Sequence, residues 1–389
     1  MSQENEEYEI TTYESFDHMK LNEKILHGIY SYGFEKPSAI QKKAIVPFIQ
    51  GKDLIAQSQS GTGKTGTFVI GVLQNIDVDK KVTQALILSP TRELAKQIHD
   101  VLEGLGKFSG ITSRLVIGGN RRFSRFDSDD TIREQVIVGT PGRICEYLTK
   151  QKIQKDTIRM MIFDEADEML SRGFQEQIQR IFHNIPTDAQ IGLFSATMPV
   201  EMLELSNKFM NNPVKFLVDK EQLTLEGIRQ FYVRAEDEKT KFEILCDLFA
   251  LISVNQCMIY VNSKKKAGWL TDRMEEQNFT VSCINGNMTQ DERNNVMEHF
   301  RIGDTRVLIT TDILSRGIDV QQVSLVLNYE LPLEKETYIH RIGRSGRYGR
   351  KGVAINLVGH WEWTDLQKLQ EFYQTEINEL PANVKELLS

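Results

Sequence analysis

The segment Ser60-Gly61-Thr62-Gly63-Lys64-Thr65 lies between two apolar runs, Asp53-Leu54-Ile55-Ala56 before it and Phe68 to Leu73 after it. Strand, glycine loop and helix is the order that phosphate binding needs. Glycines let backbone N–H groups converge on a phosphate at the positive end of a helix. Lys64 offers a point charge to β and γ phosphates, and the Thr65 hydroxyl is a ligand for Mg2+. Ser58 stands where the bare phosphate-loop pattern has its first glycine. Taken alone, the segment also fits a glycine turn ahead of an exposed lysine. A second group, Asp164-Glu165-Ala166-Asp167, directly follows Met160-Met161-Ile162-Phe163. Its carboxylates therefore leave the C-terminal end of a buried strand, the edge at which open α/β sheets bind ligands. Asp164 suits holding Mg2+ through water, and Glu165 suits orienting and deprotonating an attacking water. On its own this group is more often a solvated helix start. A nucleotide site needs both parts, and the chain carries both.

A third segment, Tyr338 to Lys351, holds Arg341, Arg344, Arg347, Arg350 and Lys351 and no acidic residue. It reads either as a solvated basic loop or as a set of forks for phosphate oxygens, with glycines that permit close approach. Since it lies in the second half, it reaches a γ-phosphate held by the first half only across a cleft. That is the logic of an arginine finger.

Elements must position these groups. Short apolar, β-branched runs alternate with helical stretches, the pattern of parallel sheets flanked by helices. One set comprises Asp53–Ser58, Ala85–Ser89, Leu115–Ile117, Val136–Val138, Met160–Phe163, Ile191–Ser195 and Val214–Val218. The other comprises Gln230–Arg234, Cys257–Val261, Val281–Cys283, Arg306–Thr310, Leu325–Asn328 and Val353–Leu357. The polar stretch 219–227 separates them as a linker. The expected organisation is an N-terminal segment over 1–40, a first domain over 41–218, and a second over 228–389.

At 389 residues the chain is too long for one ordinary core, and its 40% apolar and 26% charged fractions are those of a soluble globular protein. No run approaches the roughly 18 apolar residues of a spanning helix. Met1 to Glu9 is polar and acidic where a signal peptide is basic and then apolar. An intracellular protein without membrane contact is expected. Cys145, Cys246, Cys257 and Cys283 form no C-x-x-C pair and give no zinc or disulfide framework. Net charge is −7, shared by both halves, so neither is a basic module. Any nucleic-acid contact must be local, from a few arginines, backbone N–H groups and helix N-termini.

The order of motifs resembles the DEAD-box RNA helicases. Gly33-Phe34-Glu35-Lys36-Pro37-Ser38-Ala39-Ile40-Gln41, preceded by Phe16, is similar to the family's Q motif, and Asp164 to Asp167 spells its name. Pro90 to Ala95, Gly118-Gly119, Thr140 to Arg143, Ser195-Ala196-Thr197, Gln290-x-x-Arg293, Arg316 to Asp319 and His340 to Arg347 resemble the remaining motifs in order. Ser263, Ser315 and the stretch Arg121 to Asp130 depart from the commonest wording, and none of them removes a catalytic group. The resemblance implies two tandem RecA-like α/β domains, each a mostly parallel sheet flanked by helices, with ATP and Mg2+ as cofactors. It implies that Phe34 stacks on adenine and Gln41 reads its edge, beside Lys36. The phosphates meet Ser60, Gly61, Thr62, Gly63, Lys64, Thr65 and Gly66. Asp319 touches the ribose side, and Arg344 and Arg347 meet the γ-phosphate. Lys64, Asp164, Glu165, Arg344 and Arg347 are then the catalytic set, with Thr65 and Asp164 on the metal.

RNA contacts are implied for Pro90, Thr91, Arg92, Gly119, Thr140 and Arg143 in the first domain, and for Asn262, Arg293 and Thr311 in the second. These are mostly backbone contacts and so indifferent to sequence. Asp167, Ser195, Thr197 and His340 couple the two sites, Ser195 and Thr197 by hydrogen bonds to Asp167. Leu223 to Tyr232 and Leu380 to Val384 narrow the resemblance to the initiation factor 4A subfamily, its exon-junction-complex paralogue included. The implied activity is ATP-dependent local unwinding of RNA by a monomer that binds single strands, in translation initiation. The implied partners are scaffold or regulatory proteins of the translation or exon-junction type, in the cytoplasm and also the nucleus. Two alternatives stand beside it: an ATP-gated RNA clamp of an exon-junction-type or ribosome-assembly complex, and a DNA translocase, which the Q motif disfavours. Trp361 and Trp363 lie outside every motif and read as packing residues.

Overall fold

The computed structural model describes residues 11–59, 61–118, 131–170, 174–218, 228–251, 256–312, 323–345 and 352–381. It divides into two compact units between Leu217 and Val218. The stretch 219–227, expected as a linker, lies outside the described residues.

The first unit is built on a seven-stranded, all-parallel sheet. Its strands are β1 (Leu54–Gln57), β2 (Ala85–Leu88), β3 (Ser113–Val116), β4 (Val136–Gly139), β5 (Met160–Asp164), β6 (Gln190–Ser195) and β7 (Val214–Phe216). Their order is β3-β4-β2-β5-β6-β1-β7. Strands β1, β2, β4, β5 and β6 are buried along their whole length, which is why they appear in the sequence as continuous apolar runs and not as alternations. Helices α1 (Glu23–Ser31), α2 (Ala39–Ile49), α3 (Lys64–Asn75) and α4 (Arg92–Gly106) cover one face. Phe48 and Phe68 pack there against Phe194 of β6. Helices α5 (Pro141–Thr149), α6 (Ala166–Leu170), α7 (Gln175–Phe182) and α8 (Val200–Ser206) cover the other face around Phe163, Met169 and Ile181. Phe16, Ile25 and Ile29, from the stretch before residue 41, are part of the first of these cores.

The second unit repeats the plan. Its strands are β8 (Ile228–Ala235), β9 (Cys257–Tyr260), β10 (Val281–Ile284), β11 (Val307–Thr310), β12 (Leu325–Asn328), β13 (Gly352–Gly359) and β14 (Asn378–Glu379), in the order β10-β11-β9-β12-β13-β8-β14, again all parallel. Helices α9 (Glu238–Leu251) and α10 (Lys264–Glu276) pack on one face. Helices α11 (Gln290–Ile302), α12 (Lys335–Ile342) and α13 (Trp363–Tyr373) pack on the other. A capping box starts α11: Thr289 N–H donates to Glu292 Oε2 at 2.7 Å and Glu292 N–H returns to Thr289 Oγ1 at 3.4 Å. Gly303, at φ +86°, ends it in the left-handed conformation. Among the described residues no helix is long and apolar enough to cross a membrane.

Candidate nucleotide and nucleic-acid site

At the carboxyl end of β1 the chain turns through Gly61 and Gly63, at φ +80° and +99°, before Lys64 opens α3. Those angles are the reason glycine is needed there. Ser58, in place of the first glycine of the pattern, takes part in the loop: its hydroxyl bonds that of Thr62, and its carbonyl accepts the Lys64 ammonium. Lys64 is buried, Thr65 is half-buried and Gly61 is exposed. Ser60 lies outside the described residues.

One strand away, across β6, β5 delivers Asp164 at its last position and Glu165 directly after it. Glu165 adopts φ +53°, a left-handed angle that a non-glycine residue takes only at an energetic cost. Asp164 is 3% exposed. Burial first, then the charge of Glu165, push its carboxyl up to about 7, against a downward pull from Lys64. Asp164, Glu165 and Asp167 thus crowd several carboxylates into a buried site beside the Lys64 cation. A hard divalent cation suits such a place, and the Asp164 carboxylate and Thr65 hydroxyl are the oxygen donors that Mg2+ takes. Asp167, on α6, accepts the Ser195 hydroxyl at 2.7 Å on one oxygen and the Thr197 hydroxyl on the other.

The Q-motif residues meet the start of α3. Gln41 Oε1 accepts the Ser38 N–H at 2.9 Å, and its Nε2 donates to the Gly63 carbonyl at 3.2 Å. Phe34 lies edge-on to Tyr32, with centroids 5.4 Å apart. A Cβ on Gly66 would sit 2.7 Å from Gln41 Nε2 and 2.9 Å from Phe34 Cε2, so the bare helix face is what lets these two side chains approach. Lys36 is exposed.

The RNA candidates of the first unit occupy the other half of the same sheet edge, over β2, β4 and β3. Pro90 follows β2, and Thr91 caps α4 by accepting the Leu94 N–H at 3.2 Å. Thr140 stands at the N-cap of α5 without a side-chain cap bond, its own N–H donating to Val116 O at 3.3 Å. The Arg92 guanidinium reaches the turn after β3, 3.3 Å from where a Cβ on Gly118 would lie. Arg143 pairs with Glu146 and lies 4.7 Å over the Tyr147 ring. Gly119 lies outside the described residues.

In the second unit Asn262 follows β9, Thr311 follows β11, and Arg293 on α11 donates to the Gly286 carbonyl at 3.3 Å. The Asn262 side chain is committed internally. Its Oδ1 accepts Arg341 at 2.8 Å and its Nδ2 donates to the Leu331 carbonyl at 2.8 Å. Sequence reasoning missed Arg341. This fully buried guanidinium places all five of its N–H donors: two on Asp312, and one each on Asn262, Asn328 and the Glu330 carbonyl. Its motif neighbours drew attention as phosphate ligands, and nothing in the spacing sets it apart from them. His340 is on α12, and Arg344 Nε donates to the His340 carbonyl at 3.1 Å. Asp319 and Arg347 lie outside the described residues.

The family model described as DEAD/DEAH box helicase matches residues 38–205, and that of the helicase conserved C-terminal domain matches residues 240–349. The chain is 53% identical over 378 residues to eukaryotic initiation factor 4A-9 of Nicotiana tabacum, covering 97% of this chain and 91% of that protein. It is 52% identical to eukaryotic initiation factor 4A of Caenorhabditis elegans, covering 96% and 93%. The solved structure of S. cerevisiae Dbp5 bound to RNA and ADP BeF3 is similar to it with a TM-score of 0.91 at 36% identity, covering 97% of this chain and 99% of that one.

Proposed function

The chain belongs to the DEAD/DEAH box helicases, and from that premise we propose how its residues divide the work. It is an RNA-stimulated ATPase and RNA helicase of the initiation factor 4A type, and translation initiation is its process. The observation that carries the assignment of roles is the division of one sheet edge. The phosphate loop and carboxylates sit over β1, β6 and β5, and the Thr91, Arg92 and Thr140 row sits over β2, β4 and β3.

In this reading Lys64 balances the β and γ phosphates of ATP, Phe34 stacks on the adenine and Gln41 reads its edge. Glu165 takes the proton of the attacking water. Mg2+, when bound, supplies charge neutralisation at the phosphate oxygens; Thr65 and Asp164 would hold it. Asp167, with Ser195 and Thr197, ties the segment that carries Asp164 and Glu165 to the end of β6. Single-stranded RNA lies against Pro90, Thr91, Arg92, Gly119, Thr140 and Arg143, and against Asn262, Arg293 and Thr311. Asp319 meets the ribose, and Arg344 and Arg347 meet the γ-phosphate. The protein acts as a monomer in the cytoplasm, with scaffold or regulatory proteins setting its turnover.

Since both units then contribute to ATP and to RNA, the two ligands tighten each other by one factor, a coupling of roughly 1 to 3 kcal/mol. Titration of a single-stranded RNA with and without a non-hydrolysable ATP analogue measures it. A matching titration of the analogue with and without RNA must return the same factor. RNA affinity indifferent to the analogue would overturn the shared-grip reading and leave the ATPase assignment standing.

A further inference from the structure

Trp361 and Trp363 share a sequence neighbourhood and part company in the fold. Trp363 is covered: Tyr232 meets it edge-on at 5.3 Å and the Arg234 guanidinium lies 4.1 Å over its ring. Trp361 is 59% exposed, in the turn after β13. It is nevertheless held in place. A Cβ on Gly359 would lie 2.7 Å from its Cζ2, so the indole rests against bare backbone, and the Lys241 ammonium stands 5.5 Å from its centroid.

A second apolar side chain, Leu333, is 82% exposed on the turn after β12. The buried Glu362 fastens the two turns together. Its Oε1 accepts the Leu331 N–H at 3.2 Å, and its Oε2 accepts the Gly359 N–H at 2.8 Å together with the Lys241 ammonium. Presenting an indole and a leucine to water from a pinned frame lowers the ordering cost of a partner that covers them.

Exposed carboxylates stand beside these groups. β8 pairs with β13 in a register that sets Ala235 against Gly359, so the exposed Glu236 and Asp237 emerge next to His360 and Trp361. Glu334, also exposed, adjoins Leu333. Of the nearby cations, Lys241 is buried and paired with Glu362, Lys239 pairs with Glu243 at 3.6 Å, Arg234 lies over the Trp363 ring, and Lys335 lies 5.1 Å over the Phe372 ring. With these cations already engaged on a carboxylate or a ring, the surface offers carboxylates and an indole and, among the described residues, no free cation for a phosphate, which disfavours RNA as the occupant. It favours a cation that can both stack on an indole and fork onto a carboxylate, which is the chemistry of arginine. We propose that the turns after β8, β12 and β13 form a docking surface for a protein segment presenting an arginine beside an aliphatic residue. The guanidinium stacks on Trp361 and pairs with Glu236 or Asp237, while the aliphatic side chain covers Leu333.

A phage-displayed random peptide library, selected on the full chain and counter-selected on its Trp361→Ala form, tests this. The expected result is a set of Trp361-dependent binders in which arginine stands next to Leu, Ile or Val. Their affinity should fall at least about tenfold in Trp361→Ala and in Glu236→Gln/Asp237→Asn, hold in Trp361→Phe, and be unchanged in Asp188→Asn, an exposed carboxylate of the first unit. Trp361→Ala should keep the wild-type ATPase rate and RNA affinity, since the residue lies outside that machinery. Failure to recover Trp361-dependent binders, or recovery of an acidic consensus, overturns the proposal. So does loss of oligouridylate affinity in Trp361→Ala, which would make the surface an RNA subsite instead.

Discussion

The Ser195 hydroxyl donates to Asp167 Oδ1 across 2.7 Å, and Thr197 takes the second oxygen of the same carboxylate. Asp167 follows β5 and Ser195 ends β6, so this carboxylate joins the two strand ends nearest the nucleotide candidates. Replacing Ser195 by alanine leaves one lone pair of a 9% exposed carboxylate without its donor. The expected cost is about 1 to 3 kcal/mol of stability. Unwinding should fall more than ATP hydrolysis, because Lys64, Asp164 and Glu165 stay in place. Urea denaturation together with parallel ATPase and strand-separation assays checks both, and equal losses in the two activities would remove the coupling role.

Glu165→Gln should preserve ATP binding and lower hydrolysis by about 100-fold or more, the scale of a lost general base. Lys64→Ala should abolish binding itself. Labelled-ATP binding and single-turnover hydrolysis separate the two variants. Hydrolysis at the wild-type rate in Glu165→Gln would show that another group takes the proton.

Asp164 sets a pH dependence whose sign follows from its raised pKa. A folded-state pKa above the unfolded value means that the folded chain holds this proton more tightly. The stability it contributes is full below the ordinary aspartate range and is lost as pH rises through about 7. Wild-type protein without nucleotide should therefore be less stable relative to Asp164→Asn at about pH 7.5 than at about pH 5. Urea midpoints at the two pH values test it. The variant should be the more stable chain at the higher pH and be inactive as an ATPase, a conflict between stability and function located at one carboxyl.

Gly66→Ala probes the adenine assignment without touching a polar group. The new Cβ would lie within 3 Å of both Gln41 Nε2 and Phe34 Cε2, so the pair must move off the face of α3. ATP affinity should drop about tenfold and the preference for ATP over GTP should shrink with it, because the discriminating amide is displaced. Displacement of labelled ATP by each nucleotide reads both effects. Retained selectivity would mean that adenine is read elsewhere.

Among the described residues, thirteen of the fourteen strands correspond to apolar or β-branched runs legible in the sequence. Nine are buried along their whole length and so nearly continuously apolar, whereas β3, β7, β8 and β10 are only partly buried and show through their β-branched and aromatic residues. The missing one, β14, is a pair of exposed polar residues that add to the edge of β8, and no periodicity marks it. Strand order was not legible either, yet it is what sets the nucleotide candidates on one half of the first sheet edge and the RNA candidates on the other. The phosphate loop and the carboxylates announce themselves through local spacing. Arg341 does not, since its role lies in partners drawn from the end of β12 and the turns after β9, β11 and β12, 11 to 79 residues away in sequence. The same limit hid the different fates of Trp361 and Trp363.

Arg341 anchors the two turns that carry Asn262 and Thr311. It holds Asp312, directly after Thr311, with a two-pronged contact of 2.6 and 2.9 Å, and it holds Asn262 with a third bond of 2.8 Å. Lysine would keep the charge but has three donors on a point-like head, so it cannot fork onto Asp312 while also reaching Asn262, Asn328 and the Glu330 carbonyl. Arg341 is fully buried and the Asp312 side chain 42% exposed, so the carboxylate regains water when the fork is lost. The expected cost of Arg341→Lys is then about 1 to 3 kcal/mol, below that of opening a fully buried pair. Functionally, the turns after β9 and β11 lose their common anchor. Affinity for single-stranded RNA should fall about tenfold or more while ATP affinity measured without RNA falls much less, since the phosphate-loop and adenine contacts of Lys64, Phe34 and Gln41 are in the other unit. Fluorescence anisotropy with a labelled oligouridylate, beside labelled-ATP binding and a urea curve on the same preparation, distinguishes the outcomes. A loss of stability with RNA affinity intact would assign Arg341 to the framework of the unit alone.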